Sequence, residues 1–341
     1  MAEAVTVKDV CDHYLTYQLH RAEAAEITAS RFHDCRRTLQ DFAAFAGRAR
    51  VVEDMLPEDF EAYRQKLLRK GLIRKKKLGV HALDRSVGVV KAAFDYAYQN
   101  DLLERPVKLG VSFKGSSAAA KRRSRGENQV RHGKKLFTAE AIEKMLEKAS
   151  VPLRAMILLG INGGMGNKDC GRLPTRIIQF EKALIEFPRP KTGIDRVVPL
   201  WPETLEALYA AMAERPKPVD AAFDQFFFLT TFGQPWYRDT RGMYAQGNVT
   251  LGSRSDAVRE EFDKVLTKLG LKRKGIGFYS LRHTFRTWAG EVQDPHAVYR
   301  IMGHVVPGMD AYYVEEIELP RLQKVVEHVR QKLFGTTPAA P

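Results

Sequence analysis

Through the first hundred positions, apolar residues recur at three- and four-residue spacing, the period of an amphipathic helix. Val7, Val10, Cys11, Tyr14 and Leu15 form one such series, with Thr6 placed to cap its start. A second helix is predicted from about Ser30 to Phe45, with Phe32, Leu39, Phe42 and Phe45 inward, and a third after Pro57, carrying Phe60, Tyr63, Leu67 and Leu68. A fourth, near His81 to Gln99, presents Leu83, Val87, Val90, Phe94 and Ala97. Four helices of this kind can form a small bundle around their own core.

The periodicity lapses over 114–135, where a small, flexible run from Lys114 to Ala120 leads into Lys121, Arg122, Arg123, Arg125, Arg131, Lys134 and Lys135. Composition alone makes this a basic inter-domain linker. Helical spacing resumes at Leu136-Phe137-Thr138, with Thr138 as a cap, and continues after Pro152 in a nearly all-apolar helix. The period then shortens. Ala183-Leu184-Ile185-Glu186-Phe187 and Arg196-Val197-Val198-Pro199-Leu200 are strand-like runs around a turn containing Lys191-Thr192-Gly193. Leu205, Leu208, Tyr209 and Met212, and later Val258, Phe262, Val265, Leu266 and Leu269, return to helical spacing. The expected architecture is mainly α with a small antiparallel β-sheet. It divides into a helical domain over 1–113, the linker over 114–135, and a second domain over 136–341.

Charge changes this picture. Among 341 residues, 55 are Lys or Arg and 41 are Asp or Glu, a formal charge of +14. Six of the nine positions from Arg69 to Lys77 are basic, including Arg74, Lys75, Lys76 and Lys77. Clustered cations of this density point to a polyanion, with double-stranded DNA the leading candidate. Three cysteines, Cys11, Cys35 and Cys170, form no Cys-x-x-Cys pair, so neither a disulfide framework nor a metal site is expected. The N-terminus lacks a basic segment followed by an apolar run, and no stretch approaches the roughly 18 to 20 apolar residues of a membrane span. A cytoplasmic, DNA-associated protein without membrane contact is expected.

The chemistry is concentrated near the C-terminal end. Tyr279-Ser280-Leu281-Arg282-His283-Thr284-Phe285 is followed by Met302-Gly303-His304, and Tyr313 stands nine positions after that histidine. A phenol can become a nucleophile at phosphorus, and cationic or hydrogen-bonding neighbours can hold the charge that develops. This block resembles the tyrosine recombinase (phage integrase) family, and the Arg189–Leu200 segment looks like the hairpin in which that family places a lysine beside the scissile phosphate. Gly303 is also suited to ending a helix just before His304.

The resemblance implies an N-terminal core-binding bundle and a recombinase catalytic domain. It further implies strand cleavage through a 3′-phosphotyrosyl intermediate without metal or other cofactor, and a homo-tetramer on paired DNA sites. Tyr313 would be the nucleophile, with Tyr312 packed inward. Arg282 and His304 would stabilise the phosphate, and Lys191 would protonate the leaving oxygen. Arg286 shares a helix face with Arg282, and His283 is expected to be a structural hydrogen-bonding residue. Two positions depart from the family pattern. Gly166, in Gly163-Gly164-Met165-Gly166-Asn167-Lys168-Asp169, stands where the family has its first catalytic arginine, although Asp169 keeps the acidic position. Tyr279 stands where the family has a histidine and can still donate a hydrogen bond. Losing one preorganised donor costs on the order of 10²–10³ in rate, so Lys168, Arg172 and Arg154 become candidate replacement cations. Two other functions stay open: a catalytically weakened DNA-binding protein on a recombinase scaffold, and a type IB topoisomerase-like enzyme. The apolar stripe Leu322, Val325, Val326, Val329 and Leu333 could dock on a neighbouring subunit or fold back on its own domain.

Overall fold

The structure is a computed structural model that describes residues 4–24, 26–70, 79–188, 193–245, 248–306 and 317–335. The chain separates into two compact units, one built from the chain up to Arg131 with 240–253, the other from His132–Asp239 and the chain from Arg254 onward.

In the first unit, α1 (Val7–Glu23), α2 (Ala29–Ala46), α3 (Pro57–Lys70) and α4 (Val80–Gln99) enclose a core rich in aromatic rings. Thr6 caps α1 in a reciprocal box with Asp9, which satisfies two otherwise unpaired main-chain donors. Phe42 packs edge-on against Tyr63 and Phe94, while Phe60 meets Phe94 and Phe113. Phe45 departs from expectation. It is 38% exposed and lies against Tyr63 with the Lys66 ammonium over its ring.

The segment expected to be a basic inter-domain linker contains a helix, α5 (Ala118–His132). Alanine, lysine, arginine and glutamate are strong helix formers, so the segment is helical without an apolar stripe, and none of its residues is buried. Its start is tied to α4, where the Asp84 carboxylate accepts from the Ser116 amide and pairs with Lys121.

The second unit begins with α6 (Ala139–Lys148) and α7 (Val151–Asn162), and α7 is buried along nearly its whole length. Next come α8 (Asn167–Gly171), β1 (Ile178–Gln179), β2 (Leu184–Pro188), β3 (Asp195–Pro199) and α9 (Pro202–Ala213). The three strands form an antiparallel sheet in order β1-β2-β3, with Ile185 opposite Val198. Tyr209 and Met212 of α9 are largely exposed, not part of the core. A second, two-stranded sheet pairs β4 (Tyr237–Ala245) with β5 (Asn248–Asp256), of which 240–253 belong to the first unit. The unit closes with α10 (Ala257–Lys268), α11 (Tyr279–Ala289), α12 (Pro295–Met302) and α13 (Leu319–Phe334).

The α13 stripe of Leu322, Val325, Val326, Val329 and Leu333 is buried in the core of its own unit. The Trp201 indole N–H donates to the Val326 carbonyl, and Arg330 grips Glu203. Arg321–Asp294 and Lys332–Glu291 complete the attachment. No helix among the described residues is long and apolar enough to cross a membrane. All three cysteines are free and buried, and burial pushes the Cys11 thiol up to about 12, so it carries no thiolate for chemistry.

Candidate active site

The site is built on the turn that leaves α7. Asn162, fully buried, donates to the Pro199 carbonyl and accepts from the Trp201 amide and the Thr204 hydroxyl. One side chain thereby joins the end of α7 to β3 and α9. The two glycines that follow are there for space and conformation. A Cβ on Gly163 would lie 2.5 Å from Val198 Cγ1, and Gly164 has φ +61° with Phe285 2.9 Å from where its Cβ would be. Gly166 is different. Its φ of −96° suits any residue, and an added Cβ would meet only ordinary contacts, 3.5 Å from the Tyr279 ring and 3.6 Å from Asp169. Its amide is capped by the Asp169 carboxylate at 3.0 Å.

Arg282, on the first turn of α11, is 2% exposed and reaches across this turn. Its guanidinium donates to the Gly164 carbonyl and to the Met302 carbonyl at 3.1 Å, and its Nη2 lies 2.5 Å from His304 Nε2. A guanidinium only donates, so this His304 nitrogen accepts and the ring proton sits on Nδ1. His304 is positioned by the end of α12, where Gly303 adopts the left-handed conformation (φ 59°) and the His304 amide donates to the Tyr299 carbonyl.

A second guanidinium meets the same framework. Arg196 of β3 is completely buried, donates to the Ile301 carbonyl at 3.0 Å and pairs with Asp169 at 3.4 Å. Two arginines thus converge on consecutive carbonyls at the negative end of the α12 dipole. The sequence contained one sign of this arrangement: Arg196 shares the inward-facing register of β3 with Val198.

The expected residues are distributed as follows. Tyr279 is half exposed, beside Gly166, and its ring is edge-on to the exposed His283. Lys168 is exposed, and Arg172 is exposed with its guanidinium over the Phe226 ring. Arg286, half-buried one turn beyond Arg282, lies over the Tyr299 ring. Arg122, Arg123 and Arg125 are exposed on α5. Tyr312, Tyr313, Lys191, Arg74, Lys75, Lys76 and Lys77 lie outside the described residues. Among the described residues, no cluster of three His, Cys, Asp or Glu could hold a metal ion.

A third arginine was not anticipated. Asp256 caps α10 by accepting from the Arg259 amide, and the same carboxylate meets Asn167 Nδ2 and Arg254 Nη2, each at 3.3 Å. The Arg254 guanidinium also lies 5.2 Å from the centre of the Tyr237 ring.

Residues 135–318, more than half of the chain, match the family model described as Phage integrase family. No curated protein matches the sequence. Among solved structures, the chain is similar to a lambda integrase dimer bound to a COC′ core site, with a TM-score of 0.62 and 15% identity over 92% of this chain and 100% of that one. The Tn1549 transposon integrase in complex with a circular intermediate DNA gives a TM-score of 0.63 and 17% identity, over 96% of this chain and 100% of that one. A lambda integrase tetramer bound to a Holliday junction gives 0.61 and 15%, over 93% and 80%. At these identities the likeness establishes the fold, and with the family match it leads to one conclusion: the chain belongs to the phage integrase family, the tyrosine recombinases.

Proposed function

We propose that the chain catalyses site-specific DNA strand cleavage and rejoining through a 3′-phosphotyrosyl intermediate. The observation that carries this reading is the Arg282 guanidinium, fixed between the Gly164 and Met302 carbonyls with the His304 ring against it. A guanidinium and an imidazole held together in a water-poor setting supply preorganised donors for a phosphate whose charge grows during attack.

In this mechanism the Tyr313 oxygen attacks phosphorus and forms the phosphotyrosyl ester, and the bond to the 5′-oxygen breaks. Lys191 donates the proton that the departing 5′-oxygen requires. The phenolic proton must be lost from Tyr313 as the new bond forms, because a phenol with a pKa near 10 is a weak nucleophile at neutral pH. The 5′-hydroxyl of a partner strand then reverses the step. Bond energy is kept in the ester, so no nucleotide is consumed. Tyr279 takes the family histidine's place with its phenolic O–H as donor.

The bundle of the first unit serves as the core-binding domain over 1–113, with 114–135 linking it to the catalytic domain over 136–341. The exposed cations of that link contact the DNA backbone, as do Arg74, Lys75, Lys76 and Lys77. Assembly as a homo-tetramer on two DNA sites agrees with the tetrameric state of the lambda integrase bound to a Holliday junction.

A second reading, a DNA-binding protein that does not cleave, is favoured by Gly166 alone. A duplex nicked so that the cleaved strand diffuses away separates the two readings. Covalent protein–DNA adduct that disappears in Tyr313→Phe is expected. Tight, salt-sensitive binding with no adduct would overturn the cleavage reading.

A further inference from the structure

The Gly166 position leaves the site one guanidinium short, and four cations are candidates to replace it: Arg196, Lys168, Arg172 and Arg254. Arg196 reaches it through Asp169 but is sealed in the core, with its described contacts directed to Asp169 and Ile301. Lys168 is exposed and its ammonium makes no hydrogen bond or ion pair among the described residues, so ordering its long side chain on a phosphate costs rotamer entropy. Arg172 lies over the Phe226 ring at the far end of α8.

Arg254 satisfies both requirements for a substitute. Its side chain is 47% exposed, so its fork is open to an external phosphate. It is also already oriented, by Asp256 at 3.3 Å and by the Tyr237 ring beneath it. The carboxylate that orients it is 5% exposed and at the same time binds Asn167, the residue directly after Gly166. The chain of contacts therefore runs from the position that lacks the cation to a cation that can act. A buried carboxylate fixed by a helix N-terminus is a stiff tether, and Arg, with its planar fork, loses little freedom when it grips two oxygens.

We infer that Arg254 supplies the phosphate-binding guanidinium that Gly166 cannot, an inference that rests on the cleavage reading above. The full chain is assayed in single turnover on the nicked duplex at saturating DNA, with affinity and thermal unfolding measured alongside. Arg254→Ala is expected to slow adduct formation on the order of 10²-fold while the DNA remains bound. Arg254→Lys should recover only part of the rate, since one ammonium cannot replace the fork. Arg254→Gln, which keeps a donor for Asp256, guards against simple unfolding and should remain slow. Gly166→Arg in the Arg254→Ala background should restore the rate, because either position then provides the guanidinium. An unchanged single-turnover rate with only weaker binding would make Arg254 an ordinary backbone contact and overturn the inference. A slowed rate that Gly166→Arg does not rescue would overturn it equally. If the unaltered chain binds DNA and forms no adduct, the cleavage reading fails first and the inference falls with it.

Discussion

The Arg282 guanidinium holds two buried main-chain carbonyls and faces an imidazole, so its fold role and its proposed chemical role rest on the same group. Removing it leaves acceptors without partners, at about 1–3 kcal/mol for a buried group. Arg282→Lys, a point donor that cannot span both carbonyls, is expected to lower the unfolding temperature as well as the cleavage rate. Retention of the wild-type unfolding temperature would contradict the bridging role. Gly166 presents the opposite case, since neither its backbone angle nor its surroundings require glycine. Gly166→Arg is therefore expected to fold normally and, while Arg254 supplies the guanidinium, to leave the rate of strand cleavage little changed. A fall in rate with normal folding would show that the space serves another purpose. Both residues were visible in the sequence through their place in the motifs. The carbonyl partners of Arg282 were not, because Gly164 and Met302 contribute only main-chain oxygens, which leave no mark on residue identity.

Among the secondary-structure elements, α13 gives the most direct test of energetics. Glu203, Glu291 and Asp294 are held below the usual carboxylate range, chiefly by hydrogen bonds from Arg330, Lys332 and Arg321 respectively. Folded values below the unfolded ones, about 4.3 for glutamate and 3.9 for aspartate, mean the stabilisation is present above that range and lost as pH falls through the depressed values. Acidification below about pH 4 should loosen α13 and shift the fluorescence of Trp201, which bonds to the Val326 carbonyl. A signal that stays flat while acid protonates these three carboxylates would show that the buried stripe alone holds the helix. The stripe itself was legible as helical periodicity, and so was the β2–β3 hairpin, because Ile185 and Val198 alternate with outward residues. The β4–β5 pair was not, since Tyr237-Arg238-Asp239-Thr240-Arg241 carries no apolar alternation. The helix α5 escaped for a related reason: it buries nothing, so no 3.6-residue pattern marks it.

For the molecule as a whole, a formal charge of +14 predicts DNA binding that weakens steeply with salt. Replacing Arg122, Arg123 and Arg125 of α5 by alanine should reduce the slope of log affinity against log salt by roughly 0.9 for each phosphate that is no longer neutralised. An unchanged slope would remove α5 from the DNA-binding surface. Charge and length were enough to suggest two units and a polyanionic partner. They carried no information on chemistry, which came from a few spaced residues near the C-terminal end. The most direct measurement is therefore the identity of the residue that becomes joined to DNA. Adduct trapped on the nicked duplex, digested and sequenced by mass spectrometry, should carry the nucleotide on Tyr313, with a free 5′-hydroxyl on the released strand. A nucleotide on Tyr312, on Tyr279 or on any other side chain, or a 5′-linked protein, would contradict the account.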